Sequence, residues 1–242
     1  MSHKETFSIH ELHYLIGAFD GELMPGLPTL DDIVTASEVI WTIAKEELEK
    51  KGLVNEDGSL TKAGFVIVET LREYCLGRTL VILNNFYFMQ CRDSNFSILI
   101  VDTGQGYQLV KISPMSRLLL LQDKLPLVTR IPLEDEVDFL TERKQLTPDI
   151  ETALASDQAL MVQYYPLEQM CETRHAALLT ASYLFVEEEG QLLGFDVNQE
   201  ELYRFSQYYF LERLYSWLAI PFREEDFENG SDLNDCNGWW WI

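Results

Sequence analysis

The sequence predicts an α+β protein with a central antiparallel β-sheet flanked by helical bundles. Three observations carry this. Residues Thr79 to Ser113 hold three β-branched and aromatic runs, Thr79–Cys91, Phe96–Asp102 and Tyr107–Ser113, separated only by the turns Arg92–Asn95 and Thr103–Gly106. Connections this short join antiparallel hairpins, because parallel neighbours need a long crossover. A second hairpin follows late in the chain, with arms Ala177–Val186 and Gln191–Val197 around the turn Glu187–Gly190. Between and around these runs, apolar residues recur at helical spacing behind good N-cap residues.

The elements follow in order. Ser8 can cap a helix from Phe7 to Ala18, with Glu11 completing a capping box and Phe7 and Leu12 placed as a hydrophobic staple. Gly21 to Pro28 is a loop by its Pro and Gly content. Thr29 or Asp31 caps a second helix to about Lys51, with the stripe Ile33, Val34, Val39, Ile40, Ile43, Ala44 and Leu48. Gly52 is its C-cap, Asn55–Gly58 a turn, and Thr61 the cap of a third helix whose stripe is Phe65, Val66, Val68, Leu71 and Tyr74. These two helices and their turn resemble part of a winged helix.

Ser113 followed by Pro114 marks another helix start, Met115 to Lys124. Leu127–Ile131 reads as extended, then Leu133–Arg143 and Pro148–Ala155 as helices, the latter capped by Thr147. Ala159–Tyr165 is a strand, and Leu167–Arg174 precedes the second hairpin. Asn198 and Glu201 form a second capping box, predicting a last helix to about Leu218 that is aromatic nearly all round. The later elements loosely repeat the hairpin-then-helix theme of the earlier ones.

With 242 residues, 47% of them hydrophobic, the chain suits a single α+β domain over residues 1–220, built of two intimately packed halves at about 1–126 and 127–220. Residues 221–242 form an acidic tail that ends in Trp239, Trp240 and Trp241. No apolar run reaches the roughly 18 residues of a membrane span, and the first residues lack an apolar signal region, so a cytoplasmic protein is expected. The net charge of −22, from 40 acids and 18 bases, would repel a phosphate backbone and argues against nucleic acid as a partner.

A search for chemistry finds little. The four cysteines, at positions 75, 91, 171 and 236, make no CxxC pair. His10 and His13 stand at i, i+3 without a third ligand nearby, so no metal is expected. Thr103–Gly106 opens no helix and is a hairpin turn rather than a phosphate loop. Cys171 and His175 could be drawn as nucleophile and base, but nothing supplies an orienting group. No catalytic residue and no cofactor are expected. Partner-binding candidates are Arg92, Asn95 and Gln105 on the hairpin loops, Tyr208 and Tyr215 on the last helix, and Trp239, Trp240 and Trp241, because Trp, Tyr and Arg are favoured interface anchors.

Four stretches together resemble the EspG-like chaperones of type VII secretion systems. They are the opening Phe7–Leu12, the Leu48–Leu60 connection with its Gly-Leu-Val and Asp-Gly, the leucine-rich helix from Ser113 to Leu125-Pro126, and the hairpin-then-helix close from Leu178 to Leu218. Charge, length and the Trp-rich tail depart from the mycobacterial pattern and suggest a Gram-positive, non-mycobacterial member. The resemblance implies a pseudo-two-fold arrangement of a sheet and helical bundles. It also implies a cytoplasmic chaperone or adaptor that keeps a helical-hairpin substrate, WXG/LXG-like or PE/PPE-like, soluble for export. Two rival readings are an immunity protein whose acidity steers it onto a co-encoded toxin, and a winged-helix regulator.

Overall fold

A computed structural model of the chain describes residues 5–21, 23–29, 38–167 and 181–221. Among the described residues it has six α-helices and one nine-stranded antiparallel sheet, the α+β fold that the sequence predicts. The strands are β1 (Thr79–Leu83), β2 (Phe86–Gln90), β3 (Ser97–Asp102), β4 (Tyr107–Ile112), β5 (Thr141–Lys144), β6 (Leu160–Pro166), β7 (Ala181–Glu188), β8 (Gln191–Asp196) and β9 (Glu201–Phe205). Their order is β4-β3-β2-β1-β6-β7-β8-β9-β5. Strands one to four are neighbours in chain order, and so are six to nine, as short hairpin connections require. No helix among the described residues is long and apolar enough to cross a membrane.

The chain forms two compact units. One holds the described residues up to Leu80 together with Asn85–Lys111; the other holds Val81–Asn84 and the described residues from Ile112 onward.

In the first unit, α1 is Ile9–Ile16, α2 Glu38–Lys50 and α3 Lys62–Cys75. The α1 capping box forms as expected. Ser8 Oγ accepts the Glu11 N–H at 3.2 Å, and Glu11 Oε2 accepts the Ser8 N–H at 2.6 Å. The other Glu11 oxygen takes Lys51 Nζ at 2.5 Å, tying α1 to the end of α2. Phe7 and Leu12 are both buried, and Phe7 also bridges to Tyr107 at the edge of β4. Thr61 caps α3 as expected, its Oγ1 accepting the Gly64 N–H at 3.1 Å. Two ties hold the Pro-Gly loop before α2: Tyr74 Oη donates to Pro25 O at 2.7 Å, and His13 Nε2 lies 3.0 Å from Pro28 O.

Three expectations change here. The run Thr79–Cys91 is two strands, not one. Asn84 takes the left-handed conformation (φ 51°) that a tight turn needs, and Asn85 Nδ2 bonds Asp102 O at 2.7 Å. The α3 stripe is shifted: Ile67, Val68, Leu71 and Tyr74 are buried, while Phe65 and Val66 stand 57% and 41% exposed. On α2, Ala44 and Leu48 are buried but Val39 and Ile43 are exposed. The expected cap Asp31 and the stripe residues Ile33 and Val34 lie outside the described residues.

The second unit contains α4 (Pro114–Lys124), α5 (Pro148–Leu154) and α6 (Gln207–Trp217). Ser113 and Thr147 cap α4 and α5 in front of prolines, as their sequences predict. Leu127–Ile131 is not extended; Pro126–Val128 makes a 3₁₀ turn. Leu133–Arg143 is not a helix. It is a 3₁₀ turn, Glu134–Val137, followed by β5, which pairs with β9. Glu136 is drawn inward to Arg130, and that buried pair replaces a helix face.

The last helix does not begin at Asn198. Residues 201–205 alternate instead, and pairing to β8 on one side and β5 on the other makes them a strand. The N–H groups of Asn198 and Gln199 donate to Oδ1 of Asp196 at the end of β8. Helix α6 starts one residue after β9, with Ser206 Oγ accepting the Tyr209 N–H at 3.3 Å. Ala219, the residue after its C-cap Leu218, sits at φ 49°, a conformation that costs an L-residue roughly 1–2 kcal/mol. Ala219→Gly is therefore expected to stabilise the protein by about 0.5–1 kcal/mol, seen as a raised midpoint in urea, because the added backbone entropy of glycine offsets part of the relief. An unchanged or lowered midpoint would contradict this.

Candidate functional site

The second unit's strands bury both faces. On one face Val186, Leu193 and Leu202 pack with Leu154 of α5. On the other, successive strands bring aromatic residues into register. Tyr183 and Phe185 stand on β7, opposite Asp196 and Gly194 of β8, which stand opposite Glu201 and Tyr203 of β9. Phe205 follows at the end of β9. Helix α6 contributes Tyr209, Phe210, Arg213, Leu214 and Trp217, spaced at three and four residues so that one helix face meets that sheet face. A cavity of about 210 Å³ lies among these side chains.

Gly194 sets the floor of the cavity. A Cβ there would stand 2.6 Å from both Phe185 Cε1 and Phe205 Cε2, so only glycine lets the two rings close to 5.1 Å in an edge-to-face arrangement. Phe210 meets Phe185 edge-on at 4.9 Å and closes one end. Tyr164, Trp217 and Tyr183 stack in series, at 5.5 Å and 6.2 Å between centroids. Phe205 and Tyr209 stack at 5.9 Å.

Two charges join the rings. Asp196 is 6% exposed, stands opposite Tyr183 across β7 and β8, and accepts the N–H groups of Asn198 and Gln199 on Oδ1. Burial, and then the Asp196 charge, push the Tyr183 phenol up to about 12, so at neutral pH it is a fixed O–H donor. Arg213 is exposed, stacks over Tyr209 at 5.1 Å, and donates to Tyr209 Oη from Nε (2.9 Å) and Nη2 (2.6 Å). No carboxylate among the described residues pairs with it. Such a site can hold a ring and orient charged groups on it. Among the described residues no group of three or more His, Cys, Asp or Glu side chains is arranged to hold a metal ion.

The residues singled out from the sequence fall elsewhere. Arg92, Asn95 and Gln105 are exposed on the β2–β3 and β3–β4 loops, in the first unit. Tyr208 is 51% exposed at the start of α6, but Tyr215 is 7% exposed and faces inward, because α6 turns its Phe210–Leu214–Tyr215 side to the core. Trp239, Trp240 and Trp241 lie outside the described residues, as do Leu178, Cys171, His175 and Cys236. Of the remaining cysteines Cys91 is buried and Cys75 half-buried, with burial pushing the Cys75 thiol up to about 12. Reading residues 198–205 as helix hid Tyr203 and Phe205. The signal that could have found them is aromatic residues at every second position, Tyr183/Phe185 and Tyr203/Phe205, in two runs joined through a glycine-containing one.

These features define a class: an α+β protein of two strand meanders, one of which carries a ring-lined cavity under its closing helix. A family model described as a domain of unknown function, DUF5081, matches residues 1–226, and the chain belongs to that family. No curated protein matches it.

Proposed function

We propose that the protein is a cytoplasmic chaperone or adaptor that binds a helical-hairpin substrate of a type VII secretion system and keeps it soluble for export. One observation supports this above the others. Val39 and Ile43, one helical turn apart on α2, are 64% and 52% exposed, and Phe65 and Val66 of α3 are exposed too. Both helices bury other apolar residues in their own core, so these are apolar side chains in excess of what the fold uses. An amphipathic helix is recognised through such anchors at i, i+3 and i+4 spacing. The net charge of −22 suits a substrate with basic residues beside its apolar face. Arg92, Asn95, Gln105 and Tyr208 are further contact candidates.

Co-expression with WXG/LXG-like and PE/PPE-like helical-hairpin proteins tests the reading. The expected result is a stoichiometric complex on size exclusion, weakened at least about tenfold by the pair Ile43→Asp and Phe65→Asp, which removes only exposed contacts and corresponds to about 1.4 kcal/mol. Failure to form a complex with any such protein would count against it. Unchanged binding by the double variant would move the contact off α2 and α3.

A further inference from the structure

The cavity beneath α6 carries an inference that stands apart from the chaperone reading, since either can fail alone. Its walls are rings, which favour a ring placed edge-on or offset against them. Its volume of about 210 Å³ is below the roughly 300–1,000 Å³ of sites for drug-sized ligands, so it suits one ring with a short polar head. Two opposite charges, Asp196 and Arg213, line it.

Each charge has bonding capacity left. A carboxylate offers about four acceptor positions, and Asp196 uses Oδ1 for two backbone N–H groups. Arg213 uses Nε and Nη2 on Tyr209, leaving Nη1 and a second Nη2 proton to donate. A simple cation would meet Arg213, and a simple anion would meet Asp196. A ligand with both charges brings no net charge into an apolar site, where an unpaired ion is costly.

We propose that this cavity binds a free aromatic amino acid, its ring on the floor made by Phe185 and Phe205, its carboxylate on Arg213 and its ammonium on Asp196. The side chains of Tyr183, Tyr209 and Trp217 form the walls. Gly194 is the residue that makes the floor possible.

Titration calorimetry of the full chain with phenylalanine, tyrosine and tryptophan tests this, with phenylpropionate, phenethylamine and leucine as probes lacking the ammonium, the carboxylate and the ring. The expected result is one-site saturable binding of at least one aromatic amino acid, with each of the three probes weaker by at least about tenfold. Arg213→Gln should remove the discrimination against phenethylamine, and Asp196→Asn that against phenylpropionate. Circular dichroism melts of the variants show whether each remains folded, and Arg213 is exposed enough for its change to leave the fold intact. Absence of saturable binding by all three amino acids would overturn the proposal. So would probes that bind the native chain as tightly as the amino acid does.

Discussion

A Glu136→Ala variant is expected to lose about 3–5 kcal/mol of stability, measured by urea unfolding. The side chains of Arg130 and Glu136 are both 2% exposed, and the Arg130 Nη2 group donates to both carboxylate oxygens, at 2.7 and 2.6 Å. The same carboxylate accepts the Gln207 N–H at 2.8 Å, where α6 begins. Arg130 Nε donates to Gln207 Oε1 and its Nη1 to Gly190 O in the β7–β8 turn. Removing the carboxylate leaves a buried guanidinium without its counter-charge, and leaves the Gln207 N–H without its acceptor. Because the pair is buried, raising the salt concentration should change the loss little. Replacing both partners together, Arg130→Met with Glu136→Leu, should cost less than Glu136→Ala alone. A single-variant loss below about 1 kcal/mol would show that the pair is not holding this junction.

Gly64→Ala is the second large effect, expected to cost about 1–3 kcal/mol or more. In an exposed helix the same change would gain up to roughly 1 kcal/mol, since alanine is the better helix former. Here the new Cβ would stand 2.0 Å from Leu53 O and 2.9 Å from Leu53 C. The obstacle is backbone, so no rotamer relieves it. Either α3 moves outward or the Leu53–Val54 segment does, and the Val54–Leu60 bridge and the Thr61 cap sit in that path. Gly77→Ala is the comparison. Its nearest obstacles at 2.2 Å are Met89 Cγ and Sδ, parts of a flexible side chain, although Gln90 O also lies at 3.0 Å. The loss at Gly77 should be the smaller. A neutral or stabilising Gly64→Ala would contradict the packing described here.

Much of this fold was legible because its signals are local. Ser8 with Glu11, Thr61, Ser113 before Pro114 and Thr147 before Pro148 each satisfy helix N–H groups from within a few residues, and each helix starts where its cap says. The errors came where distant pairing decides. Asn198 and Glu201 meet the same capping-box pattern as Ser8 and Glu11, yet two neighbouring strands claim Glu201–Phe205 and the box never forms. Leu133–Arg143 has helical composition, but its glutamate finds Arg130 and its end finds β9. Phe65 and Val66 have helical spacing, but which side of α3 meets the core depends on where Leu53 approaches. The cavity was the least legible. Gly194 looks like an ordinary strand glycine until Phe185 and Phe205 are known to flank it, and Asp196 like an ordinary turn residue until Tyr183 is opposite.

The outermost strand of the sheet, β5, is four residues long and reads Thr-Glu-Arg-Lys, with its first three residues exposed. One side of that strand pairs with β9, and among the described residues no strand pairs with the other; an open edge of this kind is a template on which foreign strands add and fibrils grow. Shortness and three adjacent charges of mixed sign make the edge a poor template. At the far end of the order, β4 is shielded at Tyr107 by the bridge from Phe7. A nine-stranded sheet with many β-branched and aromatic residues thus carries, at both margins, its own protection against recruiting a tenth strand from another molecule.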